Sequence, residues 1–138
     1  MLRVIFIFCF LLLPTFSFSA ETRRLCIKDA CLEIEVAASD QTRQQGLMFR
    51  EELKTQEGML FNFKEEAFHR FWMKNMIFPL DFIWANREKV IVDLTENVQP
   101  CDGTCPTFTS KDMALYVLEV NAGFIQKHKV RIGERLVF

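Results

Sequence analysis

Residues 79–85 read PLDFIWA, a run of strand length in which every position except Asp81 is apolar. Side chains alternate between the faces of a strand, so Leu80, Phe82 and Trp84 share one face while Asp81, Ile83 and Ala85 share the other. Both faces are apolar except at Asp81, which makes the run part of a buried sheet and the aspartate its anomaly. A carboxylate on an apolar face is costly unless it is paired, hydrogen-bonded or protonated. Glu119 has the same standing in YVLEV, residues 116–120, on the side of Val117. The cations set among comparable apolar residues are Arg50 and Lys74, the latter followed by Asn75. Two readings stay open: internal ion pairs that fix sheet register, or a polar pocket whose charges await a ligand. Pro79 starts a fresh strand, so KNMIF before it becomes a turn, and Lys74 and Asn75 fall at a strand end.

Short strand signals fill the rest of the chain. RLCIK and CLEIEVA read as a hairpin, the second arm alternating Leu32, Ile34 and Val36 with Glu33 and Glu35. SDQTRQQG carries a helix start at Ser39 or Asp40 and a stop at Gly46. GMLFNF and RFWMK are aromatic-rich strand candidates, and PLDFIWA and KVIVDLTENV form a second hairpin around NREK. ALYVLEV and RLVF complete the strands, with NAGFIQKHK between them as a short helix whose late cations suit its C-terminal end. Seven or eight short strands with two short helices predict an α+β fold, a compact domain built on a partly closed barrel or a curled mixed sheet.

The first twenty residues, MLRVIFIFCFLLLPTFSFSA, place Arg3 before an apolar core and Pro14 before small residues. That order is a secretory signal peptide, and its core is short for a membrane anchor. Cleavage is expected after Ser19, or after Ala20. Cys9 lacks the small residues that precede a lipidated cysteine. The expectation is a leader over 1–20 and one domain over 21–138, exported to the periplasm or secreted. A formal net charge of −1, with no basic cluster, argues against nucleic acid and anionic membrane surfaces as partners.

Four cysteines remain after the leader: Cys26, Cys31, Cys101 and Cys105. An even count in an exported chain favours disulfides over free thiols. Cys26 and Cys31 flank IKDA at a hairpin turn, and Cys101 and Cys105 enclose the turn-forming DGT. Spacing leaves the three connectivities open. A four-thiolate zinc site is disfavoured by spacings looser than those of zinc knuckles, and no resident metal or cofactor is expected. Met48, Met59, Met73 and Met76, with His69 and Trp72 nearby, raise copper(I) ligation. Their Leu, Phe and Trp neighbours favour core packing instead, and His69 reads as a solvated loop-edge residue. In NAGF, residues 121–124, free backbone N–H groups beside Gly123 form an anion-binding candidate against the plainer reading of close helix packing.

Taken in order, GLMFR (46–50), GMLFNF (58–63), FWMKNMIFPLDFIW (71–84) and YVLEVNAGF (116–124) resemble family 192 of the domains of unknown function. The resemblance runs from about residue 25 to the end and implies a compact, strand-rich exported domain with no assigned activity. It also implies that Met76, where the family commonly has Thr, holds no shared role, and that CDGTC is a local addition that staples a loop.

The resulting expectation is an exported accessory or binding domain of the envelope. Its pocket would be formed by Arg50, Trp72, Lys74, Asn75, Asp81 and Glu119, and would take a small polar or anionic ligand such as a saccharide. The alternative is a hydrolase acting on a glycan, with Asp81 and Glu119 as acid and base. A weaker alternative is copper(I) handling through methionines and His69. Where Lys74, Asp81 and Glu119 lie relative to the largest pocket separates them.

Overall fold

A computed structural model describes residues 22–138. The expected leader over 1–20 lies outside the described residues. The elements in order are β1 (Thr22–Ile27), β2 (Ala30–Ala37), α1 (Asp40–Gln45), β3 (Glu57–Ala67), β4 (Leu80–Ala85), β5 (Ile91–Val98), β6 (Ala114–Asn121) and α2 (Phe124–His128). The six strands form one mixed sheet in the order β1-β2-β3-β6-β4-β5, with β2 and β3 parallel and the other neighbours antiparallel. This is the α+β class expected, with six strands rather than seven or eight.

The two missing strands have a common physical reason. RFWMK alternates as a strand should, Phe71 and Met73 buried against exposed Trp72 and Lys74. It nevertheless meets only the loop before β6, through single bridges from Phe71 to Phe108 and from Lys74 to Cys101. RLVF likewise makes bridges rather than a ladder. Val137 exchanges two backbone hydrogen bonds of 2.9 Å with Cys26 in β1, while Arg135 bridges Val90 beside β5. The C-terminal residues therefore stitch one edge of the sheet to the other, and the sheet itself is not closed.

Both sheet faces are apolar, as PLDFIWA requires. One carries Ile34, Leu60, Leu118, Ile83 and Ile91 and is covered by Phe124 and Ile125 of α2 and by Leu136. The other carries Phe61, Val117, Phe82 and Trp84 and is covered by Leu47, Leu53 and the Phe71–Met76 segment. The Trp84 indole N–H donates to the Thr95 hydroxyl at 3.0 Å, so the largest core side chain buries no unmet donor. Disulfides join Cys26 to Cys31 across the first turn and Cys101 to Cys105 around DGT. Two such staples suit an oxidising compartment, and among the described residues no helix is long and apolar enough to cross a membrane.

Candidate functional site

The two anomalous carboxylates lie on opposite faces of the sheet. In the β4–β6 register Asp81 stands opposite Val120, and Phe82 stands opposite Glu119. Partners in a ladder share a face and successive residues alternate. Asp81 therefore points into the face covered by α2, and Glu119 into the face covered by Leu47, Leu53 and the Phe71–Met76 segment. An acid and base pair built from them is excluded, because glycoside hydrolysis needs both carboxyls flanking one bond.

Asp81, fully buried, is satisfied from within the chain. One oxygen accepts the Asn97 N–H at 2.8 Å and the other accepts the Ile125 N–H at 2.9 Å. Ile125 is in the first turn of α2, whose N-cap Gly123 offers no side chain. A carboxylate there meets an otherwise orphaned donor and the positive end of the helix. The anion at the start of α2 is thus Asp81 itself, which occupies the Ile125 donor.

Glu119 has the opposite surroundings. It sits on β6, an interior strand, between Met59 of β3 and Phe82 of β4 in the same cross-sheet row. Only 5% of its surface is exposed, and among the described residues its carboxyl makes no hydrogen bond. No fully sealed side-chain nitrogen or oxygen among them lacks a partner, so the Glu119 oxygens keep an opening. That opening is a cavity of about 600 Å³. Burial pushes the Glu119 carboxyl up to about 8, against the opposing pull of the Arg50 guanidinium. At neutral pH it is an uncharged acid with one donor and one acceptor to offer.

The cavity is bounded by α1 and the following turn on one side and by residues 70–76 on the other. Its floor is Glu119 with Phe61, and its walls include Met48, Phe71, Trp72 and Met76. Local sequence sets these walls. The Ser39 hydroxyl accepts the Thr42 N–H at 3.1 Å and the Thr42 hydroxyl accepts the Ser39 N–H at 3.0 Å, a closed cap that starts α1 where β2 ends. Gly46 ends it at φ 48°, and a Cβ there would approach the Phe61 ring to 3.1 Å, so glycine lets the turn lie on the floor. Opposite, Phe49 donates its N–H to the Asn75 carbonyl at 3.0 Å, and both residues have positive φ, 64° and 58°. That contact ties the two walls together.

Of the six pocket candidates, Trp72 and Glu119 line the cavity. Arg50 lies close enough to act on Glu119, but its guanidinium is held bidentately by Glu35 at 2.5 and 2.8 Å. This pairing holds the Glu35 carboxyl below the usual carboxylate range. Lys74 is not among the lining residues, and its ammonium lies 5.6 Å from the Trp72 ring centre. Asn75 donates to the Met48 sulfur at 3.7 Å and shapes the wall. Asp81 is on the other face. Met73 and Met59 are core residues, whereas Met48 and Met76 line the cavity. His69 is half-buried, not solvated: its ring stacks on Phe63 with centres 3.5 Å apart, and burial lowers its proton affinity.

Sequence reasoning missed the contribution of α1, including Asp40 and Arg43, and that of Arg70 at the rim. Nothing in DQTRQQ marks it as a pocket wall. It also missed Asp93, a buried carboxylate that accepts the Lys111 N–H at 2.9 Å and anchors the loop before β6. The alternation in KVIVDL carried that signal, with Asp93 in phase with Ile91.

The family model for domain of unknown function 192, described as uncharacterized ACR, matches residues 23–138. The chain is similar to a crystal structure from Sinorhizobium meliloti 1021 of a protein put forward as a transcription regulator. That similarity is 34% identity over 83% of this chain and 89% of the other, with a TM-score of 0.73. It is also similar to a protein of unknown function from Novosphingobium aromaticivorans DSM 12444, at 26% identity over 85% of each chain and a TM-score of 0.78. No curated protein matches it.

Proposed function

The chain belongs to the DUF192 family, whose description assigns no activity, and from that premise we propose that it is an exported accessory domain of the envelope that binds a small molecule beneath α1. The observation that carries this reading is Glu119. A carboxyl sealed among Met59, Phe61 and Phe82 costs free energy when nothing meets it. Here it opens on a cavity of about 600 Å³, within the range of small-molecule sites. Aromatic walls with one convergent polar group are the usual composition of such sites. The leader and the two disulfides support placement outside the cytoplasm.

The hydrolase alternative is left without its pair of carboxylates. Regulation of transcription is not adopted, since 17 cations against 18 acids leave no excess for a phosphate backbone. A fragment screen read by amide chemical shifts tests the binding reading. Hits should perturb Gly46–Met48, Phe61–Phe63 and Trp72 together, and lose that pattern in Glu119→Leu. Hits that scatter over the surface, or ignore the substitution, would overturn it.

A further inference from the structure

Resting on the binding reading above, we infer that the pocket takes a ring-bearing apolar molecule with an anionic group at its outer end and an uncharged hydrogen-bonding group at its inner end. The inner end is set by Glu119. The residue is 5% exposed, and its carboxyl makes no hydrogen bond among the described residues and opens on the cavity. A cation placed against it would enter the field of Arg50, which already acts on the same carboxyl. An anion there would lose its hydration at the floor of a cavity walled by Phe61, Phe71 and Met76. A hydroxyl, carbonyl or amide edge meets one donor and one acceptor without either cost.

The middle is set by the walls. Phe61 and Phe71 meet edge to face with centres 4.9 Å apart, and Trp72, Met48 and Met76 complete the lining. Aromatic faces and thioethers favour a flat ring over a hydroxyl-studded sugar.

The outer end is set by unbalanced charge. Asp40, the acid at the rim, is paired with Arg43, whose guanidinium also donates to the Asn62 carbonyl at 2.9 Å. Arg70, exposed on the rim, forms no ion pair among the described residues. Lys74 adds an ammonium over the Trp72 ring, which forms part of the wall. Arg70 thus leaves one cation without an acid on the rim, with the Lys74 ammonium beside the Trp72 wall, so the charged end of a ligand sits there and is negative.

Three matched probes test this on the purified protein by calorimetric titration: 6-hydroxy-2-naphthoate, 2-naphthoate and 2-naphthol. The hydroxynaphthoate should bind tightest. Loss of the hydroxyl should weaken binding by roughly two- to tenfold, as for one neutral hydrogen bond. Arg70→Ala should weaken both carboxylates by up to about fivefold and leave naphthol unchanged, as for one exposed ion pair. Glu119→Leu should make hydroxynaphthoate and naphthoate bind alike, with circular dichroism confirming the fold. Naphthol binding as tightly as the carboxylates would overturn the inferred ligand class while leaving the pocket standing. No binding by any probe, or binding indifferent to both Glu119→Leu and Trp72→Ala, would overturn the pocket reading with it.

Discussion

Asp81 and Glu119 stand on adjacent strands, both nearly or wholly sealed, and differ in what their oxygens meet. Asp81 accepts two backbone N–H groups, so replacing one oxygen by an NH₂ group sets donor against donor. Asp81→Asn should therefore cost about 1–3 kcal/mol in urea unfolding. Hydrogen exchange should quicken first at Asn97 and Ile125, and a uniform change across the sheet would contradict the cap. Glu119 behaves in the reverse sense. Its folded value of about 8 lies above the ordinary 4.5, so the native state holds a proton that the unfolded chain releases. That contribution is whole below about pH 4.5 and is lost as pH rises through the folded value, by up to about 1.4 kcal/mol per pH unit. Glu119→Gln does not titrate, so its stability should gain on the parent between pH 5 and 8 in urea melts. Parallel pH profiles would rule out a buried neutral acid. Both anomalies were legible as single residues, Asp81 and Glu119 each breaking an apolar face. That Asp81 answers the NAGF motif was not, because the two meet across a separation of 44 residues. Their opposite orientation follows from the β4–β6 register, which local patterns do not fix.

At the scale of elements, the pocket is made by the least regular parts of the chain. Helix α1 buries none of its residues, and the Phe71–Met76 wall has no ladder. That wall is held by Phe71, which exchanges backbone hydrogen bonds of 2.9 and 2.8 Å with Phe108, and by a weak 3.5 Å contact from the Cys101 N–H to the Met73 carbonyl. The Cys101–Cys105 bridge closes the loop that supplies those partners. Replacing both cysteines with Ser should therefore raise exchange across residues 71–76 while β3, β4 and β6 stay protected, since closing a short loop constrains mainly local chain freedom. Loss of protection throughout the sheet would mean that the staple serves the core instead. The strand-like alternation of RFWMK was legible because it reports which side chains are buried. It could not report that the partner is a loop, since pairing belongs to two segments. The helix SDQTRQQG was read correctly, start and stop, because its cap is made within four residues, from Ser39 to Thr42.

The whole molecule solves an edge problem that its sheet creates. Strands β1 and β5 are the outer members, and exposed edges invite pairing with other chains. The last residues cover both. The Ile91 N–H donates to the Glu134 carbonyl and the Gly133 N–H to the Ile91 carbonyl, each at 2.8 Å. The Leu136 N–H reaches the Lys89 carbonyl at 2.9 Å, and Val137 pairs with Cys26. Between these contacts Leu136, 2% exposed, inserts into the core on the α2 face. RLVF read as one more strand, and of the two expected forms the sheet is mixed and not closed. Its role as a two-sided clasp depends on where both edges lie, which is a property of the finished fold. Leu136→Ala removes the side chain that seats the clasp and should cost about 2–5 kcal/mol, the range for emptying a buried leucine site. Because one segment serves two edges, exchange should rise together at Cys26 in β1 and at Ile91 in β5, at opposite ends of the sheet order. A response confined to one edge would show that the other holds without the clasp. A response at both, with the Glu119 side unchanged, would show that the two faces of this sheet are stabilised separately.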